Sequence, residues 1–179
     1  FRPYGDDVCT MIKQHNVDKQ GMSRFDKIPL YLKWADVDPT VIRVDDLCTE
    51  FSKIVKNKVI NSDWVPGVKE FLYSNKENYI FIIVSATPQD ELEEICKSLK
   101  LDNFFSNIYG SPATKSESIR ASIIHHKTHA SFCIMIGDAQ ADIDAAHDNG
   151  IHIIFRKHQE NLKLTINPTI PVIENFNEL

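Results

Sequence analysis

The sequence predicts an α/β fold: a mostly parallel sheet with helices on both faces, preceded by a small all-helical N-terminal segment. Two observations carry this. From about residue 64 onward, apolar runs of strand length alternate with segments of helical periodicity, the pattern of parallel strands joined by crossover helices. Within that region "YIFIIVSAT" (79–87) begins as a continuous apolar run, as a strand buried on both faces of such a sheet must. Before residue 64 the patterning is helical only, so the chain divides into 1–63 and 64–179.

The N-terminal part reads as a helix over 5–16, a second over 23–35 and a long third over 39–60. Val41, Val44, Leu47, Phe51, Ile54 and Val55 form the apolar stripe of the third helix. Pro29 lies inside the second helix and is expected to kink or delay it. The C-terminal part opens with a helix over 66–75, then a strand over 79–85 and a helix over 89–99. A short strand, "NIY" (107–109), precedes a helix over 115–127, a strand over 132–137 and a helix over 140–149. The strand "IHIIF" (151–155) follows, and a short strand, "IPVI" (170–173), closes an edge. In a sheet of this kind the active site sits at the carboxyl ends of the strands.

Composition narrows the function. The chain has 179 residues, of which 42% are hydrophobic, enough for one domain or a compact core with a small insertion. A net charge of −5 with no basic block argues against a nucleic-acid groove. A small anion is still compatible, since one Lys and a helix N-terminus can hold a phosphate on an acidic protein. Cys9, Cys48, Cys96 and Cys133 are far apart and form no CxxC pair, which excludes a disulfide framework and a zinc site and points to reduced, cytoplasmic thiols. No stretch reaches the length of a membrane span, and the opening "FRPYGDDVCT" lacks the regions of a signal peptide.

Three polar signals fall at strand ends or just past them. Ser85 and Thr87 end the 79–85 strand, Lys115 follows the tight loop "YGSPAT", and Asp138 and Asp142 flank the exit of the 132–137 strand. Each has a plain structural reading: a helix cap for Ser85 or Thr87, a solvated surface residue for Lys115, an N-cap and a first-turn acid for the two aspartates. Gathered at one edge of one sheet, they instead describe an anionic-ligand site with a hydroxyl donor, a cation and a pair of metal-binding acids. That set suits phosphoryl transfer, where catalysis is mostly positioning and charge neutralisation. Carboxylate oxygens are also what Mg²⁺ prefers.

Three segments, "IIVSAT", "SPATKSESI" and "MIGDAQADIDAA", resemble in order and spacing the second, third and fourth motifs of the haloacid dehalogenase superfamily, in its phosphoglycolate-phosphatase-like branch. "GMSRFDKI" (21–28) and "VPGVKEFL" (65–72) resemble words that related sequences carry. The resemblance spans nearly the whole chain. It implies a Rossmann-like core with a small helical cap over 1–63. It also implies a Mg²⁺-dependent phosphatase acting on a small phosphorylated metabolite through an aspartyl-phosphate. By the same resemblance, Ser85 with the backbone around Ala86 and Thr87 binds phosphate, and Lys115 binds phosphate and the nucleophile. Asp138 ligates Mg²⁺, and Asp142 ligates it or orients the site. Arg24 and Lys27 of the cap are candidates for an anionic substrate, or equally a structural pair near a helix start.

The family's first motif, an apolar strand ending in DxDx[TV] that carries the nucleophile, has one literal match, Asp36-Val37-Asp38-Pro39-Thr40. The preceding "IPLYLKW" is not an all-apolar strand, and Asp38 and Pro39 read better as N-cap and first residue of the long helix. The nucleophile is therefore expected N-terminal to Phe1, on a strand central in the sheet between those of the second and fourth motifs. The 179 residues alone are expected to turn over negligibly. A non-catalytic relative that only binds an anion or a partner is the alternative. A response-regulator receiver fits less well, because its acids would follow early strands and it would lack the helical segment. His125, His126 and His129 read as a helix-end cluster serving the dipole rather than a metal.

Overall fold

The computed structural model describes residues 1–19, 22–39 and 44–179. The chain forms two compact units, Phe1–Asn61 and Ser62–Leu179.

The first unit is helical. A short 3-10 turn, Arg2–Tyr4, leads into α1 (Asp6–Asp18), followed by α2 (Arg24–Trp34) and α3 (Val44–Ile60). Ser23 caps α2, its hydroxyl accepting from the Phe25 amide at 3.3 Å. Pro29 is accommodated within α2 without delaying its start. Ile28, Leu32 and Cys48 form the buried core, with Phe1, Val37, Val44 and Leu47 packed against it. Beside it Tyr31 is buried edge-on to Phe1 and His15, and its hydroxyl donates to Asn16 Oδ1 at 3.1 Å. Burial raises the Tyr31 pKa. The expected start of the third helix, with Asp38 as cap, depends on residues 40–43, which lie outside the described residues. Asp36 follows α2 in a left-handed turn with φ of 55°, so the literal DxDx[TV] match stands after a helix and not after a strand.

The second unit is the α/β part. Its elements are α4 (Val68–Asn75), β1 (Phe81–Pro88), α5 (Gln89–Ser98), β2 (Phe105–Ser111), α6 (Lys115–His125), β3 (Ile134–Gly137), α7 (Gln140–Asp148), β4 (His152–Arg156) and β5 (Val172–Ile173). The alternation read from the sequence is there, with shifted boundaries. β1 starts two residues later than expected and runs on through Ser85, Ala86 and Thr87. β2 is longer than "NIY". Phe132, expected in the third strand, lies in a 3-10 turn before it and is 84% exposed.

All strand pairing among the described residues is parallel, as predicted, but it falls into two ladders. β1 pairs with β2, and β3, β4 and β5 pair in that order. No ladder joins β1 to β3 among the described residues. α6 lies against β1, α7 lies against β3 and β4, and the two helices lie against each other, so helix packing connects the two ladders. This corrects the expectation of a strand buried on both faces. Every residue of β1 is only partly buried, and among the described residues a strand pairs with just one of its edges. Ile134 at the start of β3 is 58% exposed.

A capping box fixes the start of α6. The Glu117 amide donates to Thr114 Oγ1 at 3.2 Å, and the Thr114 amide donates back to Glu117 Oε2 at 2.8 Å. The Thr114 amide holds the Glu117 carboxyl below its usual range. Removing the cap hydroxyl in Thr114→Ala should cost about 1 kcal/mol of stability, read as a lower midpoint in urea unfolding.

Candidate active site

Both ladders are parallel, and the polar residues singled out in the sequence fall at their carboxyl ends. Ser85 and Thr87 are residues of β1 itself. The Ser85 hydroxyl donates to Thr87 Oγ1 and accepts from the Thr87 amide, both at 3.1 Å. The N-cap of α5 is Pro88, with no side-chain cap bond, so neither hydroxyl serves as the helix cap. Gln89 holds this strand end to its neighbour, donating to the Ile108 carbonyl at 2.9 Å and accepting from the Gly110 amide at 2.5 Å. The approach is close enough that a Cβ on Gly110 would meet the Thr87 carbonyl oxygen at 2.6 Å.

Lys115 is the first residue of α6, where the helix dipole disfavours a positive charge. Its side chain is only 16% exposed and its Nζ makes a short ion pair with Asp142 Oδ1. The solvated-surface reading of this lysine therefore fails.

Asp142 is the third residue of α7 and 2% exposed. Its other oxygen, Oδ2, accepts from the amides of Asp138 at 3.1 Å and Ala139 at 3.0 Å. One carboxylate thus satisfies two amides ahead of the helix and the ammonium of Lys115. Gly137 makes room for it, since a Cβ there would stand 2.6 Å from Asp142 Oδ2. Asp138 leaves the end of β3 with its side chain 48% exposed, and its Oδ2 lies 3.3 Å from His158 Nε2.

The structure brings Asp138, Asp142 and Lys115 into one connected group, and Ser85, Ala86 and Thr87 into a second at the end of β1, against which α6 packs. Arg24 and Lys27 belong to the first unit and are engaged within it. Arg24 bonds to Ser52 Oγ and sits 4.9 Å from the Phe51 ring centre, tying α2 to α3. Lys27 donates to Asn16 Oδ1 at 3.1 Å, and burial lowers its pKa. His126 bonds to Asn107 and His129 to Ser131.

Three polar residues at this sheet edge escaped the sequence reading. His158 and Asn161 follow β4, and Ser111, at the end of β2, is 8% exposed with no hydrogen-bond partner for its hydroxyl. The signal for the first two was "RKHQEN", a polar string leaving a strand at the same end as "SAT" and "GDAQ".

The profile described as haloacid dehalogenase-like hydrolase matches residues 12–155. The chain belongs to this family. No curated protein matches it. Solved structures share its fold at low identity. CbbY from Rhodobacter sphaeroides, in complex with phosphate, superposes with a TM-score of 0.73 at 12% identity, over 87% of this chain and 74% of that one. A predicted phosphoglycolate phosphatase from Haemophilus somnus gives 0.71 at 21% identity, over 87% and 73%. YfnB from Bacillus subtilis, bound to magnesium, gives 0.70 at 16% identity, over 97% and 81%. The family assignment agrees with the hydrolase reading, and these neighbours share the α/β fold. Among the described residues no helix is long and apolar enough to cross a membrane.

Asp142→Asn removes the charge that Lys115 faces in a largely buried position. It should cost about 3 kcal/mol, the lower end for breaking a buried pair, measured by denaturant unfolding.

Proposed function

We propose that this family member is a magnesium-dependent phosphatase acting on a small phosphorylated metabolite through an aspartyl-phosphate. The observation that supports it best is the connected group Lys115–Asp142–Asp138, with the Ser85 and Thr87 hydroxyls at the end of β1, against which α6 packs. A buried lysine at a helix start is costly unless its charge is used, and a transferring phosphoryl group is what such a charge serves.

In this reading Asp138 is the cation ligand. It is half-exposed at the strand exit, whereas both oxygens of Asp142 already accept from protein donors. Among the described residues no group of three or more His, Cys, Asp or Glu side chains is gathered to cage a metal. That fits magnesium, which takes one or two protein carboxylates and fills its shell with water and phosphate oxygens. A bound magnesium ion would neutralise charge on the phosphate. Lys115, held in place by Asp142, would do the same from the other side, and Ser85 with the amides of Ala86 and Thr87 would donate to phosphate oxygens. Asp142 orients the site and does not ligate.

The nucleophile belongs, in our reading, to an apolar strand ending in DxDx[TV] seated between β1 and β3. Such a strand would bond to both open edges and bring its aspartates out beside Asp138 and Ser85. The four cysteines, all free thiols, support a reducing, cytoplasmic setting. The substrate is taken to be small because the first unit, which we read as the cap, is itself small.

The test is a phosphatase assay of the full natural chain with Mg²⁺ over a panel of small phosphorylated metabolites. Turnover that disappears with chelator is expected. Absence of turnover across the panel, with phosphate binding retained, would favour the non-catalytic alternative. In the active protein Lys115→Ala should lower kcat/KM by about 10²-fold or more, and a wild-type rate would refute its role.

A further inference from the structure

The loop after β4 is built around Asp138, and nothing in the phosphate chemistry above accounts for it. Asn161 is 2% exposed, and its amide group is fully used: Nδ2 donates to the carbonyls of Asp138 and Arg156, both at 2.9 Å, while Oδ1 accepts from the His158 amide at 2.8 Å. One buried side chain therefore joins the exit of β3 to the exit of β4 and sets where His158 starts. The imidazole is then aimed. Its Nδ1 accepts from the Glu160 amide at 3.4 Å, which puts the proton of the neutral ring on Nε2. That Nε2 is buried, has no completed hydrogen bond, and lies 3.3 Å from Asp138 Oδ2. A buried donor without a partner is costly, and the nearby acceptor able to satisfy it is this carboxylate.

We propose that His158 is a positioning residue for the Asp138 carboxylate: its Nε2–H engages Oδ2 and leaves Oδ1 for the cation, while Asn161 fixes the Asp138 backbone. The inference rests on reading Asp138 as the magnesium ligand. Carboxylates that hold metals are themselves commonly held by such outer partners, whose loss weakens metal binding about 10–100-fold.

The experiment is calorimetric titration of the full natural chain with Mg²⁺, with thermal unfolding of each variant alongside. His158→Ala should weaken Mg²⁺ binding about 10-fold or more. His158→Gln should recover most of that loss, because its Nε2 hydrogens reach toward Oδ2. Both variants give up the Nδ1 acceptor for the Glu160 amide, so a loss of thermal stability common to both reports the loop and not the cation site. Wild-type affinity in His158→Ala overturns the proposal. So does equal weakening in the two variants, which would mean that His158 only shapes the loop. Asp138→Asn separates the two levels: if it binds Mg²⁺ as tightly as wild type, the ligand reading and this inference both fall. If it loses binding while His158→Ala does not, only this inference falls.

Discussion

The second unit is organised at its polar edge by one carboxylate. Asp142 is nearly inaccessible to solvent, and burying a charge is tolerable only when its hydrogen bonds are satisfied and its sign is balanced. Here Oδ2 takes two amides and Oδ1 takes Lys115. Each partner gains from the arrangement. The amides would otherwise be orphan donors ahead of a helix, and the lysine would otherwise be a buried cation at the positive end of one. Gly137 is the residue that permits this, because any side chain there would occupy the carboxylate's place.

The same carboxylate matters for how the two ladders are held together. Among the described residues no backbone bonds run from β1 to β3, so side chains and helix packing take over that work. Lys115 of α6 and Asp142 of α7 form one tie. Asn149 forms a second, donating to the carbonyl and hydroxyl of Ser116 at 3.1 and 2.9 Å. Both sit along the α6–α7 contact, so the helices on one face bridge what the sheet does not. The acid–base geometry and the cohesion of the unit therefore share atoms.

Much of this was legible in the sequence, for physical reasons that differ by residue. The α/β alternation could be read because strand and helix periodicities are unlike, and Lys115, Asp138 and Asp142 stood out because charges at strand exits need a reason. The roles within that group could not be read. That Asp142 spends both oxygens on protein donors depends on the turn from β3 into α7, which places two amides toward it. His158 was passed over because a polar string after a strand reads as ordinary loop. Its significance lies in Asn161, whose three hydrogen bonds depend on folding. Burial of β1 was misjudged, since an apolar run reports what a strand needs beside it and not what is beside it. Arg24 and Lys27 were open between an anionic-substrate contact and a structural pair, and their contacts with Ser52, Phe51 and Asn16 give each a structural role.

The proposed seat for a strand between β1 and β3 also bears on how the chain behaves in bulk solution. The segment "FIIVSA" is uncharged, rich in β-formers and lacks proline, and among the described residues only one edge of β1 has a partner strand. Ile134, at the start of β3, is itself an exposed apolar residue. Open edges of this composition are templates for indiscriminate strand addition between molecules, and soluble proteins ordinarily cover or charge them. Colloidal behaviour is thereby coupled to that seat. A strand seated there would silence two self-associating edges at once, so selection against aggregation would act on the same residues as selection for chemistry.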